Sequence, residues 1–250
     1  EHKFIDLSDY GRPCAKVIAN ALKNTTFTPI HVTIAFIIAG IFAIYCIVHS
    51  HYWLAAFFLI LKSILDAADG ELARVKQKPS YTGRYLDSVA DILLNVLFFI
   101  AIGYIASTPI WICIGAFLGL QLQGTLYNYY YVILRNKFDG DTTSRVFENK
   151  TPIALPGEKQ KHVNILFGMY KVLYGAFDKT IYALDSNAHK GAALPKWFMT
   201  SVSTFGLGFQ LLLIAILLVL NLKSYILPFF LGYTLMVLVF IAIRKIFYKS

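Results

Sequence analysis

The sequence predicts an all-α integral membrane protein with six transmembrane helices, and three observations support that fold class. Of the 250 residues, 57% are hydrophobic and 15% are charged, whereas about a quarter of the residues of a soluble domain carry charge. Six apolar stretches have the length of roughly 20 residues that crosses a bilayer. These spans are residues 29–49, 52–74, 85–106, 109–134, 197–221 and 225–246. Basic residues also gather on one side of this arrangement.

The links between spans differ in charge. Those after spans one, three and five read HSH, STP and NLKS, with little positive charge, whereas the opposite links and both ends of the chain are basic. The positive-inside rule therefore predicts that both termini are cytoplasmic. This topology and the attraction of anionic membrane lipids explain the net charge of +9, so nucleic acid is not a predicted partner.

The spans are nearly contiguous, so residues 1–250 are predicted to form one membrane domain. Residues 29–134 supply spans one to four, and residues 197–250 supply spans five and six. In residues 1–28, apolar side chains recur at helical spacing and predict an amphipathic helix lying on the cytoplasmic leaflet. The apolar positions of this helix are Tyr10, Cys14, Val17, Ile18, Ala21 and Leu22.

The long segment 135–196 between spans four and five is predicted to be cytoplasmic. From Val163 to Leu184 its apolar residues repeat every three or four positions, which indicates a second helix lying on the surface. The stretch GDTTSR, residues 140–145, has two possible roles. One is to cover a site or contact the acceptor, and the other is to form a solvated loop.

Cysteines and several glycines are expected to serve packing. The three cysteines are widely spaced in apolar surroundings, which fits neither a disulfide framework nor a metal site. Glycines in the later spans permit close approach of helices. The residues concerned are Cys14, Cys46, Cys113, Gly115, Gly119, Gly206 and Gly208.

Four aspartates stand where hydrocarbon is expected, in the sequence LDAADGELARVKQKPSYTGRYLDSVAD. A charged side chain at bilayer depth costs about 3 kcal/mol on insertion scales, so these four require a cation or a water-filled cavity. Asp66 and Asp69 are three residues apart and Asp87 and Asp91 four apart, so each pair lies on one face of its helix. The short link between the helices predicts an antiparallel pair in which all four carboxylates converge. Such an oxygen site suits two Mg²⁺ or Mn²⁺ ions, which can clamp a phosphate.

Small and basic residues accompany the aspartates. Gly70, Ala73 and Gly83 either leave room for a bulky substrate to approach the backbone or serve close helix packing. Arg74 stands at the membrane edge, where its guanidinium can bind a phosphate.

The sequences DAADGELAR and GRYLDSVAD, eight residues apart, resemble the signature of the CDP-alcohol phosphotransferase family, also called CDP-alcohol phosphatidyltransferases. Its fixed positions are filled by Asp66, Asp69, Gly70, Ala73, Arg74, Gly83, Asp87 and Asp91. The six-span arrangement is similar to the prokaryotic members. The resemblance implies an enzyme of the prokaryotic cytoplasmic membrane with a cytoplasmic active site, and homodimers are common in the family.

The resemblance also implies roles for these residues. The first three aspartates would ligate metal, and Asp91 would join the second ion and act as general base. Gly70, Ala73, Arg74 and Gly83 would line the pocket for the cytidine nucleotide. The implied reaction transfers a substituted phosphoryl group from a CDP-activated alcohol to an alcohol acceptor and releases CMP in phospholipid biosynthesis. Compact members favour CDP-diacylglycerol as donor, although a CDP-linked head group with a lipid acceptor is the alternative.

Two positions near the motif keep more than one interpretation, and a turn before it departs from the family pattern. Lys62, one turn before Asp66, could contact phosphate or balance charge. Asn95, one turn after Asp91, could support the site or form a hydrogen bond between helices. At the start of span one, family members often carry P-N-x-x-T, whereas this chain reads TPIHVT, with Ile30 and His31 around the Asn position. No role is assigned to that turn.

Two other classes of membrane protein use clustered carboxylates. An intramembrane prenyltransferase holds a diphosphate through Mg²⁺, but it would need acidic motifs in distant spans, and here the acids lie in adjacent ones. A divalent-cation transporter would be expected to have broken helices in matching halves. A transporter also has no need of Arg74 at this spacing.

Overall fold

The computed structural model describes residues 4–137, 150–191 and 193–248, and their regular structure is helical. Residues 140–145, the GDTTSR stretch, lie outside the described residues. The helices are α1 (Arg12–Leu22), α2 (Pro29–Val48), α3 (Tyr52–Val75), α4 (Tyr81–Ile105), α5 (Ile110–Lys137), α6 (Gln160–Leu184), α7 (Lys196–Val202), α8 (Leu207–Val219), α9 (Lys223–Tyr233) and α10 (Leu235–Phe247). Short 3-10 turns cover Leu7–Asp9 and Ser203–Phe205.

The helices include several that can span a membrane. By length and composition, four helical stretches in the described residues qualify, namely α2, α4, α5 and α9 continued by α10. A bent pair, Lys196–Phe205 followed by Leu207–Val219, counts as a fifth if it is one span. Helix α3 is 24 residues long, but Lys62, Asp66 and Asp69 interrupt its apolar sequence. The protein is thus an all-helical integral membrane protein with four or five helices of this kind.

The predicted spans correspond to helices, with two differences. Span three was expected from residue 85, but α4 begins at Tyr81 because the Ser80 side chain caps it, accepting from Gly83 N over 2.8 Å. Span five is bent by 56° between Phe205 and Leu207. The N-terminal 3-10 turn packs against this bend, and a methyl group on Gly206 would lie 2.3 Å from Ser8 Cβ.

Helix α1 forms where the amphipathic pattern predicts it, but its fully buried residues are not among those of the predicted apolar face. Ala15 and Ala19 are fully buried and pack against Ala68 and Leu72 of α3. Val17, assigned to the apolar face, is 70% exposed. Small side chains let α1 approach α3 closely, and part of the larger apolar stripe is left facing outward.

Helix α6 confirms the helix predicted from Val163 to Leu184. Its apolar face packs against the first turns of α4, where the ring centroid of Tyr85 lies 5.4 Å from Phe167 and 5.3 Å from Tyr170. At its end the buried carboxylate of Asp185 accepts from Tyr130 of α5 over 2.7 Å and pairs with Arg244 of α10. These contacts fix α6 at both ends against the bundle.

The largest core cluster lies among α2, α3, α4, α5, α8 and α9. Cys46 and Cys113 belong to it, as expected of packing residues, whereas Cys14 is exposed on α1 and its predicted packing role is wrong. Gly119 is a packing site as predicted, because a methyl group there would lie 2.0 Å from Thr234 Oγ1.

Candidate active site

The candidate site lies in a gap between α3 and α4. Helix α2 packs closely on both, whereas α3 and α4 are not closely packed on each other along their length. The predicted direct pairing of these two helices is therefore wrong in detail, because α2 holds them. The space between them receives the acidic side chains of α3 and α4.

Three of the four aspartates meet in this gap. Carboxylate oxygens of Asp66, Asp69 and Asp87 lie within 4.8 Å of one another. Asp69 is buried, and Asp66 and Asp87 are half-buried. Like charges so close together repel unless a cation joins them. The predicted gathering of all four is confirmed for three, since Asp91 lies outside this group.

A threonine on α2 orients Asp69. The buried Thr33 Oγ1 lies 2.6 Å from Asp69 Oδ2, a donor–acceptor distance that marks a strong hydrogen bond to a carboxylate. Thr33 occupies the Thr position of the P-N-x-x-T pattern to which no role was assigned. The contact depends on how α2 packs against α3, 36 residues apart in sequence, and no local pattern reveals it.

Asp91 forms its ion pair with Lys62 of α3. The Lys62 side chain is fully buried, and its Nζ pairs with Asp91 and lies 3.2 Å from Asp66 Oδ2. The same Nζ lies 4.8 Å above the ring of Phe36. These contacts balance charge, as one interpretation of Lys62 predicts, and its contact with a phosphate stays a prediction. Lys62 bridges the aspartates of both helices.

The acidic group has the chemistry of a divalent-cation site. Asp87 Oδ1 is buried and has no hydrogen-bond partner among the described residues. A buried acceptor without a donor costs about 1–3 kcal/mol, and a metal ion would remove that cost. Carboxylate oxygens are the ligands that Mg²⁺ and Mn²⁺ prefer, so the residues present fit such an ion.

Of the two glycines of the motif, Gly70 is clear of packed atoms and Gly83 is not. A methyl group on Gly70 would meet only the guanidinium of Arg74, at 3.8 Å, and one on Gly83 would lie 3.3 Å from Ser80 Oγ and 3.7 Å from Ile30. Close helix packing therefore does not explain Gly70. Ala73 is half-buried beside them. The backbone at Gly70 is open to an approaching molecule.

Arg74 lies at the open end of the site. Its side chain is 59% exposed and its guanidinium lies 2.9 Å from Glu71 Oε1. Arg12 of α1 approaches the same Glu71 oxygen to 3.4 Å. Glu71, which the sequence analysis left without a role, therefore connects α1 to Arg74.

Glu158 fixes the start of α4. Its Oε1 accepts from Ser80 Oγ and from the backbone N–H of Thr82, each over 2.7 Å, and Oε2 accepts from Leu155 N over 3.0 Å. Burial alone would raise the pKa of Glu158, but these three donors outweigh it and hold the pKa below its usual value. The helix that carries Asp87 and Asp91 is thereby tied to the segment before α6.

A cavity of about 370 Å³ adjoins Asp87 and Asp91. Helices α4, α5 and α6 and the start of α8 enclose it. Asn95 lines it one turn beyond Asp91; the residue is 4% exposed, and its Oδ1 has no hydrogen-bond partner in the part of the chain that the structure describes. In the described residues no donor reaches this oxygen to form the hydrogen bond between helices considered for Asn95. The side chain is instead available to a molecule in the cavity.

Comparison with known proteins places this site in a family. The family model for CDP-alcohol phosphatidyltransferases matches residues 26–155, just over half of the chain. The match covers α2 to α5 and every motif residue. A protein of Thermococcus kodakarensis named "Bifunctional IPC transferase and DIPP synthase" is 33% identical over 122 residues, which are 48% of this chain. The chain spans only 27% of the length of that relative. The chain belongs to the CDP-alcohol phosphatidyltransferase family.

Proposed function

We propose that the protein transfers a phosphatidyl group from CDP-diacylglycerol to a hydroxyl of a polar alcohol, releasing CMP and forming a phosphodiester. The observation that carries the proposal is the meeting of Asp66, Asp69 and Asp87 in one gap, with a cavity beside Asp91. Family membership supports the reaction class. A lipid donor and a polar acceptor fit a site whose cavity has a largely polar lining.

The proposed topology has six crossings. Helix α3 is added to the five candidates above as a further crossing. It is long enough to span a membrane, and the charges that interrupt its apolar sequence are those of the site. Both termini and the site face the cytoplasm, because the basic ends and links lie on the side of the aspartates. The resemblance to six-span members supports a prokaryotic membrane. In this arrangement α1 rests on the inner leaflet, with the exposed Val17 directed to lipid.

The aspartates would hold two divalent ions, Mg²⁺ or Mn²⁺. Asp66, Asp69 and Asp87 would bind the first ion, and Asp91 would join the second. When bound, such ions neutralise the diphosphate of the donor and its developing charge. Thr33 keeps the Asp69 carboxylate oriented for this task, as residues behind metal ligands commonly do.

Asp91 is the proposed general base. Its carboxylate takes the proton from the acceptor hydroxyl, whose oxygen attacks the β-phosphorus of the donor. A new P–O bond forms, and the bond from this phosphorus to the bridging oxygen breaks. The bridging oxygen leaves with the electron pair as part of CMP. Lys62 favours the ionised form of Asp91, which the base requires.

The nucleotide would lie over the open backbone of the motif. Gly70, Ala73 and Gly83 give it clearance, since the space above Gly70 is free of packed protein atoms. Arg74 would leave Glu71 in part and bind a phosphate oxygen, because its guanidinium is exposed and lies at the edge of the gap.

Two variants test the assignment. Purified protein with Mg²⁺ or Mn²⁺, CDP-diacylglycerol and a panel of alcohols is expected to release CMP. Asp91→Asn should lose turnover by at least about 100-fold, the range for a general base, while Mn²⁺ binding measured calorimetrically largely survives. Asp66→Asn should lose both. Near-normal turnover of Asp91→Asn would disprove the base, and absence of CMP release from any CDP-alcohol would disprove the function.

A further inference from the structure

We propose that Arg12 of α1 is a positioning residue for nucleotide binding, because it stays with the Glu71 carboxylate when Arg74 leaves that carboxylate for a phosphate of the nucleotide. The two arginines share one carboxylate oxygen of Glu71 in the structure. The inference rests on the proposed function. It adds to the site helix α1, which lies before residues 26–155 of the family match.

Arg74 lies on the surface that the nucleotide would need. Its guanidinium is 2.9 Å from Glu71 Oε1. A methyl group on Gly70 would meet both terminal nitrogens of the same guanidinium at 3.8 Å. A nucleotide that approaches the backbone of Gly70 must therefore displace the guanidinium. The Arg74 side chain is 59% exposed, so it has room to turn toward a phosphate, which the planar guanidinium binds well.

Displacing Arg74 has a cost at Glu71. The Glu71 residue is only 8% exposed, and Arg74 is the closer of its two cationic partners. A buried carboxylate that loses its cation keeps a charge that water no longer solvates fully, and this opposes the movement. A second cation that stays beside Glu71 reduces this cost.

Arg12 is that second cation. Its Nη1 lies 3.4 Å from Oε1 of Glu71, the oxygen that also contacts Arg74. Its Nε pairs with Asp9, three residues earlier in the chain. The pair with Asp9 holds the Arg12 guanidinium beside Glu71 whichever position Arg74 takes. Arg12 therefore favours the form of the site in which Arg74 is available to the nucleotide.

The close packing of α1 on α3 fixes the position of Arg12. A methyl group on Gly11 would lie 3.0 Å from Ile64 Cγ1 and 3.3 Å from Ile64 Cα, so the glycine lets the chain contact the backbone of α3 just before α1 begins. Further along α1, Ala15 and Ala19 belong to the buried cluster that joins the two helices. Small side chains thus bring the start of α1 to the edge of the site.

The experiment is a double-mutant cycle on the affinity for CDP, measured calorimetrically with Mn²⁺ on the purified protein. Arg12→Gln should weaken CDP binding about fivefold, equivalent to about 1 kcal/mol, because release of Arg74 then leaves Glu71 unpaired. Glu71→Gln should strengthen CDP binding by a similar factor, because Arg74 then leaves a neutral amide. The double variant should match Glu71→Gln, since Arg12 has no carboxylate left to hold.

Two further variants separate this exchange from a general effect of charge. Lys23→Gln removes a positive charge from the exposed residue that ends α1 and should leave CDP affinity unchanged. Arg12→Lys keeps the charge beside Glu71 and should retain most of the affinity. If Arg12→Gln is too unstable to purify, the sign of the change in Glu71→Gln still decides the question.

The outcomes distinguish this inference from the proposed function. Weaker CDP binding by Glu71→Gln would overturn the inference, and so would an effect of Arg12→Gln that is equally large with and without the Glu71 carboxylate. Neither result touches the proposed function. CDP binding without CMP release from any CDP-alcohol would overturn the proposed function alone. Absence of both CDP binding and CMP release would overturn both.

Discussion

Replacing Lys62 with Met removes the positive charge that bridges the two acidic helices and keeps nearly the same side-chain length. Lys62 Nζ lies 3.2 Å from Asp66 Oδ2 and pairs with Asp91, and the side chain is fully buried. Breaking a buried ion pair by removing one partner costs about 3–5 kcal/mol. In the metal-free protein, Lys62→Met should therefore lower Tm on the order of 10 °C, given about 2–4 °C per kcal/mol for a chain of this size.

The same change should strengthen metal binding. A positive charge about 4 Å from another interacts with it by about 4 kcal/mol at an effective dielectric near 20, and a divalent ion among the aspartates meets Lys62 at similar range. If only a third of that energy is realised, about 1.4 kcal/mol, the affinity for Mn²⁺ rises about tenfold. Lys62→Met should thus bind Mn²⁺ more tightly and regain much of its lost stability on binding it.

The assay is thermal unfolding in detergent, with EDTA and across a Mn²⁺ titration, together with calorimetric Mn²⁺ affinity. Lys161→Met, an exposed position on α6, controls for loss of a positive charge and gain of a methionine and should leave both values unchanged. Weaker Mn²⁺ binding by Lys62→Met, with an unchanged Tm in EDTA, would refute the reasoning that Lys62 balances the charge of the aspartates.

Three further predictions concern the surroundings of the site. Thr33→Val removes the donor to Asp69 and should weaken Mn²⁺ binding by about 10-fold or more, the usual effect of losing a residue that orients a metal ligand; calorimetry measures it. Because the pKa of Glu158 is lowered in the folded protein, its stabilisation is complete above the ordinary glutamate value of about 4.3 and is lost as pH falls through the lowered pKa. Between pH 6 and pH 3, the Tm of the unmodified protein should therefore fall further than the Tm of Glu158→Gln. The difference between the two falls should be a few °C or less. Gly70→Ala should leave Tm nearly unchanged and reduce CMP release, whereas Gly119→Ala should lower Tm, because only the second glycine lies against packed atoms.

Each of these predictions has a contrary result. Thr33→Ser keeps the hydroxyl and should bind Mn²⁺ normally, so equal losses in the Ser and Val variants would deny the role of the hydrogen bond. Identical acid profiles for the unmodified protein and Glu158→Gln would mean that the carboxylate does not hold the start of α4. A large fall in Tm for Gly70→Ala would indicate a packing role for that glycine and remove one support for the nucleotide pocket.

Helical periodicity and charge were enough to predict much of the architecture. Every predicted span corresponds to a helix or a bent pair of helices, because apolar runs of this length have few other stable forms in lipid. The bend in span five was not predictable. At the bend, Gly206 lies against Ser8, nearly 200 residues away in the sequence, and no local pattern indicates this contact. For α1 the apolar residues were identified, but the protein contacts Ala15 and Ala19, since close approach of helices favours the smallest side chains over the most apolar ones.

The acidic site, too, could be predicted from the sequence only in part. Spacing within one helix places Asp66 beside Asp69, and that part of the site could be derived from the sequence. Contacts between helices decide the rest, since Thr33 reaches Asp69 from α2 and Lys62 of α3 pairs with Asp91 of α4. A lysine one turn before an aspartate has the same spacing whether it pairs locally or across the gap.

The ion pair between Lys62 and Asp91 explains how the site is stabilised before a metal binds. Four carboxylates in a gap between membrane helices need compensation at all times, including before any metal binds. Lys62 supplies one fixed positive charge that Asp91 and Asp66 share, and Asp66, Asp69 and Asp87 remain grouped for a divalent ion. The arrangement places a positive charge beside the proposed base and links the two acidic helices. If Lys62 instead paired only with Asp66, within its own helix, neither consequence would follow, and the opposing effects of Lys62→Met on stability and on Mn²⁺ affinity would vanish together.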